Sequence, residues 1–129
     1  MDDIFVKIIA REIPAHFVYE DDVCVAILDK FPMHTGQVLV IPKEKVDYVF
    51  DLDDETYHHL FTVAKKIGPV LDNLFDAVRT CIVVEGLEVP HVHIRLHPLQ
   101  KDKLGFGDPQ EASDKILAKQ AEQIKAALV

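Results

Sequence analysis

Apolar and polar positions change period several times along this chain, and each change marks an element. Ile4, Phe5, Ile8 and Ile9 recur at helical spacing, so the stretch from Asp2 to Ala10 predicts a short helix capped by Asp2 or Asp3, with Pro14 ending the segment. Phe17-Val18-Tyr19 and Val23 to Leu28 predict two strands joined by the acidic turn Glu20-Asp21-Asp22. Pro and Gly punctuate the stretch from Asp29 to Gly36, which predicts a loop, and Val38 to Ile41 predicts a third strand closed by Pro42. An acidic opening, Asp51 to Glu55, leads into the longest helical pattern, which runs to about Leu74 on Tyr57, Leu60, Phe61, Ala64, Ile67 and Leu71. Gly68-Pro69 within it predicts a kink or a break. Thr80 to Glu85 and Val89 to Leu96 predict a fourth and a fifth strand, and Lys101 to Pro109 a loop. A last amphipathic helix, started by Asp108-Pro109 or by Ser113, carries Ile116, Leu117, Ile124 and Leu128 as its stripe. Strands joined mostly by short connections, with one long helix, predict a largely antiparallel sheet and an α+β class.

Composition narrows the function classes. The 129 residues suit one domain, expected to span 1–129, and a hydrophobic fraction of 49% is enough to build a core. The net charge of −8 disfavours binding to a nucleic-acid polymer but leaves room for one phosphorylated ligand in a local site. Two cysteines, Cys24 and Cys81, lie in apolar runs and read as small buried hydrophobes rather than a disulfide framework. The start MDDIFVKIIARE lacks the layout of a secretory signal, and no apolar run nears the roughly 20 residues of a membrane span. The expectation is a soluble cytoplasmic protein without membrane attachment.

The candidate chemistry lies in His91-Val92-His93-Ile94-Arg95-Leu96-His97. Alternation sends Val92, Ile94 and Leu96 to the core and lines His91, His93, Arg95 and His97 along the other face. Imidazoles two residues apart could chelate a metal, through His91, His93 and His97, or one imidazole could be a nucleophile toward phosphorus. Arg95 is always cationic, so it repels a metal ion and favours an anion. The phosphate reading is preferred, with no metal and no cofactor expected. His16, His34, His58 and His59 are expected on loops and a helix surface, without a role.

With these residues in view, the chain resembles the histidine triad (HIT) family of nucleotide hydrolases and transferases. IFVKIIAREIPAHFVYEDD is similar to the family's opening segment, LDKFPMHTGQVLVIPK to its second block, and VVEGLEVPHVHIRLHP to its signature strand. The resemblance implies a five-stranded antiparallel sheet with a long helix and a C-terminal helix, usually as a homodimer. It implies a purine nucleotide or nucleoside phosphoramidate as ligand. His93 would attack the α-phosphorus to form a nucleotidyl-histidine, with His91 in support and Arg95 binding phosphate oxygens. Phe5, Ile8, Ile13 and Ile27 match the base side of the family's pocket, Asp29 matches its ribose acid, and Gln37 and His97 join the nucleotide-binding set. The other reading of Asp29 is an Asx turn.

The departures are informative too. Arg95 stands where the third histidine is expected, Gln37 and Lys45 where histidine is frequent, and Val84 where asparagine is common. Asp3 and Val6 stand where zinc-binding members carry cysteines, so structural zinc is not expected. A guanidinium cannot shuttle a proton, which makes a catalytically weakened nucleotide-binding or scaffold protein the alternative.

Overall fold

A computed structural model describes residues 2–129. Its elements run α1 (Ile4–Ile9), β1 (Phe17–Glu20), β2 (Cys24–Leu28), β3 (Val38–Pro42), a 3-10 turn (Val49–Asp51), α2 (Asp54–Leu74), β4 (Ala77–Val83), β5 (Ile94–Gln100) and α3 (Asp114–Leu128). The strands form one sheet in the order β1-β2-β3-β5-β4, and every neighbouring pair is antiparallel. The class is α+β, as the pattern of short connections implied.

Alternation divides the core into two layers. Cys24, Ala26 and Leu28 of β2, Val38 and Val40 of β3, and Ile94 and Leu96 of β5 pack with α2 and α3 on one face. Val25, Ile27, Leu39 and Ile41 face the opposite way, against Phe5 and Ile8 of α1. Both sides of β2 and β3 are therefore covered, and all ten of their residues are buried. Side chains of Asp3, Asp53 and Ser113 cap the three helices at their N-termini. Gly36 turns the chain into β3 at φ 82°, and a Cβ there would run into the Phe75 ring.

Several boundaries differ from the expected ones. The first helix is shorter, ending at Ile9 rather than Ala10. The long helix starts at Asp54 and continues through Pro69 without a break. β4 begins at Ala77 rather than Thr80, because Asp76 at φ 48° turns the chain straight from α2 into pairing with Gln100. β5 begins at Ile94 rather than Val89 and passes through Pro98. Pro98 is tolerated because β3 pairs only as far as Leu96, so the missing N–H removes no bond on that side. In the last helix Leu117, Ala121 and Ile124 make the buried stripe, while Ile116 is exposed. No helix among the described residues is long and apolar enough to cross a membrane.

Candidate functional site

The sheet face under α1 gathers the candidate residues. Register places Phe17, Ile27, Leu39, Arg95 and Val83 in one row across all five strands. His97 lies one row further along β5, opposite Cys81. His91 and His93 precede β5 and lie outside the ladder, with His91 at a bend where its N–H donates to the Val89 carbonyl. The Pro42 carbonyl explains part of this, because it accepts from the His91 ring at Nε2, 2.8 Å away.

His91 is fully buried and clamped on both sides. Its Nδ1 faces Asp3 Oδ2 at 3.1 Å, and Lys45 Nζ lies 3.0 Å from that same oxygen. Asp3 Oδ1 meanwhile accepts from Val6 N–H at the start of α1. Burial of the Asp3 carboxyl is outweighed by the Val6 bond, Lys45 and His91, which together hold it below the usual carboxylate range. One carboxylate thus ties α1, the segment after β3 and the histidine segment together. The sequence pattern marked Asp3 as a cap but not as this junction.

His93 is 7% exposed, and its Nδ1 donates to the His91 carbonyl at 2.8 Å. That bond fixes the proton on Nδ1, so the neutral ring keeps its lone pair on Nε2. Phe5 holds the other side of the ring, with centroids 4.9 Å apart. A tautomer fixed in this way is what a histidine nucleophile requires.

Phe5 also lines a cavity of about 480 Å³ between α1 and the strands. Ile8, Ile13, Ile27, Leu39 and Asp29 share its wall, so the four apolar residues expected at a base pocket and the expected acid lie together. Asp29 does form the Asx turn, accepting from Phe31 N–H at 2.8 Å, and its other oxygen accepts from Gln37 Nε2 at 2.7 Å. Gln37 is buried, with Oε1 taking the Met33 N–H, so it reaches the cavity through Asp29 rather than directly. On the rim, Lys30 and His16 both contact Asp114 at the start of α3.

Arg95 is half-buried, and its Nε is buried without a hydrogen-bond partner. His97, expected along the same face as His91, His93 and Arg95, is fully buried. Its Nδ1 lies 3.1 Å from Nδ1 of His34, which is 2% exposed. Burial first, then the charges of Arg95 and His34, pushes the His97 imidazole down to about 4. His34 was expected without a role on a loop, and it does lie on one, but its ring is buried and paired. Its place in a Pro- and Gly-rich loop hid the fact that the loop folds in over β5. His16 and His59 are likewise engaged, with Asp114 and Asp21.

His91, His93 and His97 do not converge on a common point for a metal, since each ring is committed to a different partner. Asp21, Cys24 and His59 do come within reach of one another on the opposite face. There Asp21 accepts from Tyr19 Oη, His59 Nε2 and the amides of Val23 and Cys24, which makes it the organiser of the β1–β2 turn. Burial pushes the Cys24 thiol up to about 12, in keeping with an inert core residue.

Comparison with known proteins agrees with this fold. Residues 10–103 match the HIT domain model. An uncharacterized HIT-like protein of Borreliella burgdorferi is 37% identical over 113 residues, covering 82% of this chain and 81% of its own. The Hit protein of Bacillus subtilis is 33% identical, covering 81% and 75%. Among solved structures, a HIT-like protein of Bartonella henselae superposes with a TM-score of 0.89 at 29% identity, covering 98% of this chain and 96% of its own. A hypothetical histidine triad nucleotide-binding protein of Sulfolobus tokodaii gives 0.86 at 26% identity, covering 96% and 90%. With the match running through the signature strand and the fold shared end to end, this chain belongs to the HIT family.

Proposed function

We propose that the chain binds a purine nucleotide or nucleoside phosphoramidate and transfers the nucleotidyl group through His93. The observation that carries this is the His93 Nδ1 bond to the His91 carbonyl, which leaves Nε2 as a nucleophile; His93 does not itself line the cavity, but its ring packs on Phe5, which does. The base lies among Phe5, Ile8, Ile13 and Ile27, and the ribose hydroxyls meet Asp29. The nucleotide-binding protein of Sulfolobus tokodaii, similar in fold, supports the ligand class.

In the chemical step His93 Nε2 forms a bond to the α-phosphorus while the bond from phosphorus to the leaving group breaks. The leaving amine keeps the bonding pair and takes a proton from solvent. Water then attacks the nucleotidyl-histidine, releasing nucleoside monophosphate, a proton and free His93. Arg95 binds the phosphate oxygens but cannot donate that proton, because its pKa exceeds about 12. The buried His97 ring, neutral at pH 7, does not supply it either. Turnover of amine substrates is therefore slow while binding is tight, and the second reading, a nucleotide-binding member with little turnover, rests on the same observation. Incubation with an adenosine phosphoramidate distinguishes them by chromatography: release of free adenosine monophosphate supports the enzyme, and intact substrate at equilibrium with bound protein supports the binder.

The working unit is a homodimer. β4 lies at a sheet edge with Val78 and Ile82 exposed, an unpaired apolar edge that a second copy would cover. Light scattering should give twice the chain mass of 14.6 kDa, and a mass near 14.6 kDa at micromolar protein contradicts the dimer.

A further inference from the structure

His34 and His97 form a buried imidazole pair that the chemistry at His93 leaves unused. His34 comes from the loop after β2, and His97 from β5. Their hydrogen bonds settle where the protons lie. His34 Nε2 is 2.8 Å from the Gly105 carbonyl, which only accepts, so that nitrogen carries the proton. In the neutral pair His34 Nδ1 is then bare, and His97 Nδ1 must donate across the 3.1 Å between them. His97 Nε2 is left as an acceptor. That atom is buried and unpartnered, and so is Arg95 Nε, a permanent donor two residues earlier on the same face.

Phe106 fixes the pair from outside. Ring centroids of His34, His97 and Phe106 lie 5.2, 5.6 and 4.8 Å apart in edge-to-face contacts, so the loop after β5 holds both imidazoles by an aromatic ring and a backbone carbonyl. Such a pair is costly to bury unless its last acceptor is used. Same-face neighbours on a strand are roughly 6.6 Å apart, a gap the long arginine stem spans.

We propose that His97 and His34 are positioning residues for Arg95. The chain from the Gly105 carbonyl through His34 to His97 presents a lone pair to Arg95 Nε–H. When an anion draws the guanidinium in, this contact closes and aims both Nη groups at the anion. The inference rests on the proposed α-phosphate site, because it assigns the pair a role in holding that phosphate. It also accounts for a histidine at position 97 beside an arginine at position 95: the arginine needs an acceptor behind it, and a neutral imidazole supplies one without cancelling the charge.

The test is calorimetric affinity for adenosine and for adenosine monophosphate, compared as a ratio. In the wild type the monophosphate binds about tenfold or more tightly, and Arg95→Met removes most of that increment. His97→Gln places an amide atom near the Nε2 position and keeps the increment. His97→Asn reaches only the Nδ1 position, and loses about tenfold in monophosphate affinity while adenosine affinity holds. In the Arg95→Met background His97→Asn has no further effect on the ratio. His34→Gln keeps the Gly105 bond but removes the Nδ1 acceptor that fixes the His97 tautomer, so it gives the same selective loss and serves if His97→Asn does not fold; the amide of His97→Gln has no tautomer to fix and needs no such acceptor. Equal ratios for His97→Asn and His97→Gln, or an effect of His97→Asn that adds to that of Arg95→Met, overturns the positioning role. A wild type that binds the two ligands equally overturns the phosphate site itself, and this inference with it.

Discussion

His93 donates its Nδ1 proton to the carbonyl oxygen of His91, 2.8 Å away, so His91 orients the proposed nucleophile through its backbone. The His91 side chain is committed elsewhere, between the Pro42 carbonyl and Asp3. Substituting the His91 ring would therefore act on the nucleophile indirectly, by loosening the segment that carries the carbonyl. Lys45 and Asp3 belong to the same support, and both lie outside the signature motif.

Arg95→His tests the clamp. A fixed cation strengthens binding of phosphate oxygens by about 1.5–3 kcal/mol, and a histidine at this position gives up part of that while gaining a transferable proton. Nucleoside monophosphate affinity should fall about tenfold or more, and turnover of an adenosine phosphoramidate should rise. A substrate with a good leaving group, such as a fluoride, should gain less. Steady-state kinetics on both substrates check this, and turnover unchanged or lower on both would remove the clamp reading.

Asp3→Ala should destabilise the fold by about 2–4 kcal/mol. It removes the cap on Val6 N–H, the partner of buried His91 and the partner of Lys45 in one step. Urea unfolding measures the loss. Asp3→Asn should recover part of it, since an amide oxygen still caps the helix. A change below about 0.5 kcal/mol would mean that the junction contributes nothing to stability.

Acid should destabilise the protein through His97. The folded-state value near 4 lies below the ordinary histidine value of 6.5, so between these the unfolded chain binds more protons. The contribution of neutral His97 is full above pH 6.5 and is lost as pH falls to about 4, by up to about 3 kcal/mol. Arg95 and His34 both face the ring and disfavour its charge, with Cys81 its cross-strand neighbour. Carboxylates such as Asp3 and Asp21 add their own acid sensitivity, so the comparison is with His97→Gln. Thermal unfolding of the two proteins should converge as pH drops from 6.5 to 4. Parallel curves over that range would contradict the assignment.

The sequence made the two faces of the sheet legible, because Val92, Ile94 and Leu96 alternate with the polar residues and do pack toward α2. The family resemblance, rather than the residue pattern, made the cavity legible: Phe5, Ile8, Ile13, Ile27 and Asp29 line one wall. Strand ends were less legible, since they depend on partners. β5 starts only where Val40 of β3 can pair with Ile94, and Pro98 survives within it because β3 has already ended. The His34–His97 pair left no local signal. The two residues are 63 positions apart, and nothing in a Pro- and Gly-rich loop shows which of its side chains turns inward. Gln37 was legible as a departure from the family pattern, but its bond to Asp29 required the fold.

The central claim is a covalent bond between His93 Nε2 and the α-phosphorus, and intact-mass spectrometry tests it most directly. The protein is mixed with an adenosine phosphate carrying a fluoride leaving group, whose departure needs no acid, quenched without acid to preserve the labile phosphorus–nitrogen bond, and weighed beside His93→Gly. The wild type should gain the mass of one adenylyl group. His93→Gly should gain none while binding adenosine monophosphate within about tenfold of the wild type, because apolar binding and chemistry are separable. An adduct of equal yield in His93→Gly would contradict the account and place the nucleophile on another residue.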